Sequence, residues 1–277
     1  MSQIRLRRSL LFMPGSNARA MEKARTLACD VVVLDLEDAV APDAKKSARD
    51  AVCAAVREQR FGKREVAVRI NALSSPWGAD DLAAVRAAKP DAILLPKVNN
   101  ASDVAAAADD KISIWAMIET TRAVLNLPAI AGSGANLLMM GTNDLLKEMR
   151  AGPMPARENL WGPLALTVIA ARAHGLGVID GSFNAIDDEI GFRAACEQGK
   201  DFGFDGKTLI HPSQIAGANR IFAPSANAIA EARRILAAFA AHPGQSVIQL
   251  DGRMVERLHA EAAEKLLALA DAVTVLS

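Results

Sequence analysis

The chain has 277 residues, and its 32 lysines and arginines balance 32 aspartates and glutamates, so the formal net charge is zero. A general nucleic-acid-binding protein needs a basic excess, and this balance argues against that class. Hydrophobic residues make up 51% and charged residues 23% of the chain, which is typical of a folded globular protein. Because tyrosine is absent, a mechanism that uses a tyrosine acid is excluded.

We expect the chain to be cytoplasmic. Its cysteines, Cys29, Cys53 and Cys196, lie far apart and predict buried thiols in a reducing compartment rather than disulfides or a zinc site. The N-terminal Arg7-Arg8 resembles a twin-arginine export signal, but the apolar run after it ends at Pro14-Gly15 and is too short for one. No apolar stretch approaches the roughly 18 residues of a membrane helix.

Short apolar runs alternate along the chain with alanine-rich helical patterns. The runs lack the polar–apolar alternation of a half-exposed sheet, which is typical of parallel strands covered on both faces. The predicted strands are Ser9–Met13, Val31–Leu34, Glu65–Ile70, Ala92–Leu95, Ile114–Ile118, Leu137–Met140, Gly177–Ile179 and Lys207–Ile210. The predicted helices among them are Asn17–Ala28, Lys45–Gln59, Asp80–Ala88, Glu158–His174 and Gln214–Phe222.

Eight strand–helix units in about 220 residues predict an α/β fold, a TIM (β/α)8 barrel, over residues 1–223. The competing fold is a doubly wound sheet, but no Gly-x-Gly-x-x-Gly motif follows the first strand. Residues 224–277 predict a C-terminal helical extension that packs on a neighbouring subunit. Its predicted elements are helices at Ser225–Ala241 and Val255–Ala272 and an extended piece at Val247–Leu250.

In a (β/α)8 barrel the active site lies at the carboxyl ends of the strands. Nearly every predicted strand ends beside a polar or ionisable residue. These residues are Asp35, Glu37, Asp38, Arg69, Asn71, Lys97, Glu119, Asn143, Asp144, Asp180 and His211. Their convergence on one rim predicts an active site there.

Glu119 and Asp144 follow consecutive strands and could point into the same mouth of the barrel. Two carboxylates with open coordination positions suit Mg²⁺, which keeps waters and takes further oxygens from an anionic substrate. The alternative is that Glu119 caps the helix beginning at Thr120-Thr121 and that Asp144 caps the next helix. The residues alone do not decide between the two.

Arg69 ends the third strand, where its guanidinium could bind a carboxylate through two hydrogen bonds and stabilise a developing enolate. Pairing with Glu37 or Asp38 inside the rim is the alternative, and it is compatible with the first role. Asp35, Glu37 and Asp38 lie together after the second strand. This cluster is predicted to support the metal through its waters rather than to bind it directly.

Three further features have simpler interpretations. His211 could be a general base, but a histidine before a proline is more often a packed or helix-entry residue. Lys45-Lys46 and Arg233-Arg234 are predicted to lie on solvated helix faces.

Seven segments of the chain occur in a recognisable order. They are Arg7–Gly15, Leu34–Val40, Val68–Asn71, Leu94–Lys97, Met117–Thr120, Gly203–Pro212 and Asp251–Val255. In this order they resemble the citrate lyase β-subunit-like, or HpcH/HpaI aldolase, family of CoA-ester lyases, over nearly the whole chain.

The resemblance implies a barrel with Mg²⁺ held by Glu119 and Asp144 and a substrate in contact with Arg69 and Glu119. It also implies an acyl-CoA substrate and a homo-oligomer, a trimer or a hexamer. The charge balance and the lack of a long apolar stretch predict no nucleic-acid and no membrane partner. The positions that match the family's nucleotide pocket are Phe12, Arg19 and Lys23, in a stretch rich in basic residues.

One position departs from the family pattern. Relatives that cleave a carbon–carbon bond place an aspartate after the apolar pair of the C-terminal segment, where it serves as acid or base in a neighbouring subunit's site. Here Met254-Val255 is followed by Glu256, whose longer side chain moves the carboxyl group by about one C–C bond. This variation is similar to the (3S)-malyl-CoA thioesterase branch of the family.

We therefore expect a Mg²⁺-dependent lyase that cleaves a 3-hydroxy-3-carboxyacyl-CoA, such as malyl-CoA or citramalyl-CoA, to acetyl-CoA and a 2-oxoacid. Arg69 would stabilise the enolate, and Glu256 from another chain would move the proton. Two alternatives remain open. One is hydrolysis of the malyl-CoA thioester on the same metal site, and the other is a citrate lyase β subunit that acts on an acyl-carrier protein.

Overall fold

The computed structural model describes residues 5–276, and the side chains up to residue 274. These residues form two compact units, one of residues 7–219 and one of residues 220–276 with residues 5 and 6. The division falls inside the helix Ile215–Phe222, near the predicted boundary after residue 223.

Eight parallel strands in residues 7–219 form a closed barrel, in which each strand pairs with the next along the chain and the eighth pairs with the first. The strands are β1 (Ser9–Pro14), β2 (Val31–Asp35), β3 (Glu65–Arg69), β4 (Ala92–Leu95), β5 (Ser113–Ile118), β6 (Leu137–Met140), β7 (Gly177–Asp180) and β8 (Gly206–Leu209). The TIM (β/α)8 prediction is confirmed, and each predicted strand is placed to within one residue at either end.

Helices follow the strands. They are α1 (Ala18–Ala24), α2 (Lys45–Arg57), α3 (Gly78–Ala88), α4 (Ala101–Ala106), α5 (Thr121–Leu125), α6 (Leu127–Ala131), α7 (Thr142–Glu148), α8 (Trp161–Ala173), α9 (Glu189–Phe202) and α10 (Ile215–Phe222). Short 3-10 turns occur at Pro42–Ala44, Glu158–Leu160 and Pro212–Gln214. Among the described residues, no helix is both long and apolar enough to cross a lipid bilayer.

Alternate residues of the strands fill the interior of the barrel. This core consists of Leu10, Val31, Val33, Ala67, Ala92, Leu94, Trp115, Met117, Leu137, Met139 and Ile179, with Phe12 packed against it. Because side chains alternate along a strand, the residue two positions after an inward-facing one also faces inward. That rule brings Asp35, Arg69 and Glu119 to the mouth, directly beyond Val33, Ala67 and Met117.

The C-terminal unit contains α11 (Ala226–Ala241), β9 (Val247–Leu250), β10 (Arg253–Glu256) and α12 (Arg257–Leu276). The two strands form an antiparallel hairpin whose turn, Asp251-Gly252, has positive φ at both residues, as a tight hairpin turn requires. The predicted helix from Val255 was therefore wrong at its start. Val255 and Glu256 belong to β10, because this turn pairs them with β9.

Candidate active site

A cavity of about 370 Å³ lies at the carboxyl ends of the strands. Its lining includes six of the predicted rim residues, together with hydroxyl groups that the sequence analysis did not single out. The lining residues are Phe12, Pro14, Asp35, Asp38, Ala39, Arg69, Met117, Glu119, Met140, Gly141, Thr142, Asn143, Asp144, Ser182, Thr208 and Ile210.

Arg69 is buried in this mouth and bound by carboxylates. Its Nε and Nη2 donate hydrogen bonds to the two oxygens of Asp35, both at 2.7 Å. Its Nη1 lies 2.7 Å from Glu37 Oε2 and 3.2 Å from Asp38 Oδ2. Burial opposes the charge, but the three carboxylates outweigh it and raise the pKa of Arg69. The predicted alternative, pairing with Glu37 or Asp38, is therefore present, and Asp35 is the main partner.

The turn after β2 is fixed by hydrogen bonds within the turn and from Lys45 of α2. Asp35 Oδ1 accepts the N–H of Glu37 at 2.9 Å. Lys45 Nζ donates to the carbonyl oxygens of Leu36 and Glu37 at 2.8 and 2.7 Å. Lys45 is only 6% exposed, so its predicted place on a solvated helix face was wrong. Its ammonium replaces water as the partner of two buried carbonyls, which fixes the carboxylates that face Arg69.

Glu37 is the most perturbed carboxyl group of the mouth. Burial raises its pKa to about 8, since desolvation outweighs the attraction of Arg69, and the charge of Glu119 acts in the same direction as burial. Glu37 can therefore hold a proton at neutral pH, whereas an ordinary glutamate cannot.

Glu119 and Asp144, the predicted metal ligands, converge on one cation. Lys97 Nζ lies 3.3 Å from Glu119 Oε1 and donates a hydrogen bond to Asp144 Oδ2. The backbone N–H of Lys97 also donates to Glu119 Oε1, at 2.7 Å. Burial raises the pKa of Glu119, whereas the contact with Lys97 overcomes burial and lowers the pKa of Asp144.

The alternative capping roles of these carboxylates are not observed. The cap of α5 is Thr120, whose hydroxyl oxygen accepts the N–H of Ala123. Asp144 lies within the first turn of α7, and the cap residue of that helix is Gly141. Both carboxylates are thus left to the cavity.

Gly141 allows Glu119 to occupy its position. A Cβ atom at Gly141 would lie 2.5 Å from Glu119 Oε2, which is too close for two non-bonded atoms. The glycine after β6 therefore leaves the space that the carboxylate fills.

The residues of the mouth fit a divalent cation. Five carboxyl groups (Asp35, Glu37, Asp38, Glu119 and Asp144) face two cations, and one of those cations already lies between Glu119 and Asp144. Within residues 5–276, no group of three or more histidine, cysteine, aspartate or glutamate side chains is arranged as a metal site. Two carboxylate ligands suit Mg²⁺, which completes its shell with water and substrate oxygens.

Two rim residues of the sequence analysis do not take part. Asp180 faces α9 instead of the mouth and pairs with Lys207 at 2.6 Å and with Arg157 at 2.8 Å. His211 caps the 3-10 turn Pro212–Gln214, with its Nδ1 accepting the N–H of Ser213, which matches the helix-entry interpretation.

The predicted CoA residues follow the first strand. Phe12 lines the cavity, and its ring centroid lies 5.2 Å from the guanidinium carbon of Arg69. Arg19 and Lys23 are exposed on α1. Fewer basic side chains of this stretch are available to a ligand than its composition indicated, because three of its arginines are in ion pairs. These pairs are Arg7 with Glu65, Arg8 with Asp30, and Arg25 with Glu22 and Glu58.

Glu256 ends β10 in the C-terminal unit. It is half-buried, and its backbone N–H donates to His259 Nδ1 at 2.9 Å. The apolar neighbours Met254 and Leu258 are 66% and 58% exposed. Its predicted role in another subunit's site remains a prediction.

Sequence reasoning missed the hydroxyl groups of the cavity wall, which belong to Thr142, Ser182 and Thr208. Thr208 Oγ1 is buried and has no hydrogen-bond partner among the described residues. Thr208 faces the interior by the same alternation along β8 that brings Arg69 and Glu119 to the mouth. The four residues of β8 are too few to show this alternation in the sequence.

Comparison with known proteins identifies relatives of this chain. The family model for HpcH/HpaI aldolase/citrate lyase matches residues 8–212. The chain is 48% identical to a (3S)-malyl-CoA thioesterase of Cereibacter sphaeroides, over 96% of this chain and 95% of that protein. It is 34% identical to an L-malyl-CoA/β-methylmalyl-CoA lyase of the same species, over 96% and 95% of the two chains.

A solved structure has the same fold. It is protein CitE of Mycobacterium tuberculosis in complex with magnesium, acetoacetate and coenzyme A, with a TM-score of 0.82 and 30% identity, covering 95% of this chain and 97% of that one. Together with the family match over most of the barrel, this shows that the chain belongs to the HpcH/HpaI aldolase/citrate lyase family.

Proposed function

We propose that this protein hydrolyses the thioester bond of a malyl-CoA-type substrate in a Mg²⁺-dependent reaction. The observation that carries the proposal is the 48% identity to a (3S)-malyl-CoA thioesterase along nearly the full length of both chains. Glu256, in place of the aspartate expected of carbon–carbon-cleaving relatives, supports the same choice. The thioesterase alternative thus has better support than the lyase that the sequence analysis favoured.

Glu119 and Asp144 would hold the metal. When bound, Mg²⁺ supplies a Lewis acid and open positions for the hydroxyl and carboxylate oxygens of an anionic acyl group. The magnesium in the related Mycobacterium tuberculosis structure supports this cofactor. Glu37 and Asp38 lie beside Arg69 and would support waters around the metal rather than bind it.

Arg69 would bind and stabilise negative charge on the reacting acyl group. Two of its nitrogens are fixed by Asp35, so its Nη1, which faces Glu37 and Asp38, is the donor that can exchange partners for a substrate oxygen. A guanidinium held in this way is oriented before the substrate arrives, which is how a fixed donor stabilises charge that develops during reaction.

Hydrolysis requires water to add to the thioester carbonyl carbon. The C–S bond then breaks, the acyl group leaves as a free carboxylate and the CoA sulfur takes a proton. We propose that Glu256 of a neighbouring copy moves these protons, because no tyrosine is available and a carboxylate can act as a general base. This role requires a homo-oligomer. The exposed Met254 and Leu258 beside Glu256 would be covered by the neighbouring copy.

The CoA nucleotide would lie on the side of β1 and α1. Arg19 and Lys23 stand one helical turn apart on α1 and can meet phosphate groups, while Phe12 lines the path into the cavity. Coenzyme A in the related structure supports a CoA ester as the substrate class.

Carbon–carbon cleavage is the second candidate, favoured by the 34% identity to a malyl-CoA lyase. One assay separates the two. Purified protein with Mg²⁺ and malyl-CoA is followed for free thiol, malate and glyoxylate. Thiol with malate supports the thioesterase, and glyoxylate with acetyl-CoA and no thiol supports the lyase.

Absence of all products would leave the third candidate, a citrate lyase β subunit that acts on an acyl-carrier protein. The matched control is Glu119→Gln, which should abolish either activity because it removes a ligand charge. Retained turnover in this variant would contradict the metal assignment.

A further inference from the structure

Lys97 has no part in the function proposed above, although it lies at the centre of the site. Its ammonium touches both proposed metal ligands, yet lysine is not a metal ligand at neutral pH, and the hydrolysis proposed above does not use it. Lys97 is also one of few non-glycine residues with positive φ, 53°, a conformation that carries a steric cost. A strained residue in contact with two site carboxylates calls for an explanation.

The backbone and the side chain of Lys97 do different things. The backbone N–H, in a residue whose φ is 53°, donates to Glu119 Oε1 at 2.7 Å. The ammonium lies 3.3 Å from the same oxygen and is hydrogen-bonded to Asp144. The first contact orients a ligand, and it is compatible with a bound metal. The second fills the space between the ligands with a positive charge.

We infer that Lys97 is a resident counter-cation, whose ammonium neutralises Glu119 and Asp144 in the metal-free protein and must be displaced when Mg²⁺ binds. The ammonium contacts the two carboxylates that would hold the metal, so the two cations would compete for them. Lys97 is 33% exposed along its side chain and borders an open cleft with Lys147 and Arg150, so the flexible side chain has a route out. This inference rests on the proposed metal site.

Competition sets both the metal affinity and the stability of the metal-free state. Without the ammonium, two neighbouring carboxylates would repel each other in the metal-free protein, and Mg²⁺ would bind without displacing anything. The native lysine therefore stabilises the metal-free site and weakens metal binding. The oxygens of an arriving anionic substrate would then add the ligands that favour the metal over the ammonium.

The test is Lys97→Met, which keeps the backbone N–H and removes only the charge. Mg²⁺ titration by calorimetry at fixed pH and ionic strength should show affinity about tenfold tighter, or more, than in the wild type. The matched control is Lys147→Met, which removes an equally charged neighbour of Asp144 that does not touch Glu119. Its affinity should change by less than about threefold, because salt screens an exposed charge. Lys97→Arg keeps the charge and should not bind Mg²⁺ more tightly than the wild type.

Thermal unfolding gives a second readout that is independent of activity. Lys97→Met should melt well below the wild type in EDTA, and the difference should shrink in saturating Mg²⁺. Equal or weaker Mg²⁺ binding by Lys97→Met, while the wild type binds the metal, would overturn the role of Lys97 alone. Absence of Mg²⁺ binding by both proteins would overturn the metal site as well. A melting difference that persists in Mg²⁺ would assign Lys97 to structure only.

Discussion

Arg69 and Asp35 form a buried pair with two parallel hydrogen bonds of 2.7 Å, between adjacent strands of the barrel and directly paired in register. Arg69 is 7% and Asp35 1% exposed. A pair so deeply buried is costly to break, because the partner that remains is a buried charge without compensation. The pair therefore links the stability of the mouth to the orientation of the guanidinium that would face the substrate.

Arg69→Lys should lower both stability and activity. Lysine keeps the charge but cannot make the two parallel hydrogen bonds to Asp35. We expect the free energy of unfolding to fall by about 1–3 kcal/mol and kcat/KM to fall at least about 100-fold. Urea denaturation and steady-state kinetics with malyl-CoA measure the two effects. Arg193→Lys, on the exposed face of α9, is the control and should match the wild type in both. Full activity in Arg69→Lys would contradict the proposed role of the guanidinium.

Glu37→Gln should change how stability depends on pH. In the wild type the Glu37 pKa of about 8 lies above its unfolded value, so the folded state keeps a proton that the unfolded chain has released. This contribution to stability is complete below the unfolded pKa and is lost as pH rises through about 8. The glutamine of the variant does not titrate, so the variant does not lose stability in this way as the pH rises.

The measurement is urea denaturation in EDTA between pH 5 and 9. The stability of Glu37→Gln relative to the wild type should rise by up to about 1.4 kcal/mol per pH unit until the native group ionises. Glu197→Gln on α9 is the control and should run parallel to the wild type. If the stability of Glu37→Gln also parallels that of the wild type across this pH range, Glu37 is ionised throughout it. Burial would then not be the main influence on the Glu37 pKa.

The barrel was predictable because most of its strands are short apolar runs, the pattern of parallel strands that are covered on both faces. The convergence of Glu119 and Asp144 on one cavity was predictable from their places after β5 and β6. The pairing of Arg69 with Asp35 and the bridge from Lys97 were not, since they depend on side-chain conformations and on a positive φ that no residue pattern encodes.

Other features of the structure could not be predicted from the sequence pattern. Helices such as α5 and α6, with five residues each, are too short to show a helical period. Lys45 looks like any surface lysine, because its burial results from the carbonyls that the β2 turn presents to α2. Asp180 looks like a rim residue, but it faces α9, where Lys207 and Arg157 neutralise it.

Gly141→Ala should impair the metal site without a change in any charged group. The added methyl group would lie 2.4 Å from Glu119 Cβ and 2.5 Å from its Oε2, so the Glu119 side chain would have to shift from its position beside Lys97. Displacing a group that orients metal ligands costs about 10–100-fold in affinity or activity, and we expect a loss of that size in Mg²⁺ affinity. Gly152→Ala is the control, because a Cβ atom there meets nothing within 4 Å. Unchanged Mg²⁺ affinity in Gly141→Ala would contradict the expectation that metal binding depends on the space at Gly141.

Arg19 and Lys23 should affect substrate binding more than chemistry. The double variant Arg19→Met/Lys23→Met removes two exposed charges from α1 that would meet CoA phosphates. We expect KM to rise about 10-fold with kcat nearly unchanged, and the rise to diminish at high salt. Arg57→Met, at the exposed end of α2, is the control for loss of charge. A fall in kcat at constant KM would place the CoA nucleotide elsewhere.

Glu256 offers a test of catalysis between copies of the chain. Glu256→Gln should retain the fold and lose about 100-fold or more in kcat, because an amide cannot take the proton that the half-buried carboxylate would accept in the proposed reaction. Glu119→Gln should be inactive for a different reason, the loss of a metal ligand.

If Glu256 serves the site of another copy, an oligomer that mixes the two variants contains some sites with both Glu119 and Glu256 intact. Co-expression of the variants with different affinity tags, followed by two-step purification, isolates such mixed oligomers. They should regain a substantial part of wild-type activity, whereas each variant alone stays inactive. Light scattering on the same samples checks that an oligomer is present, and a mixed oligomer that remains inactive would show that Glu256 does not act across a subunit boundary.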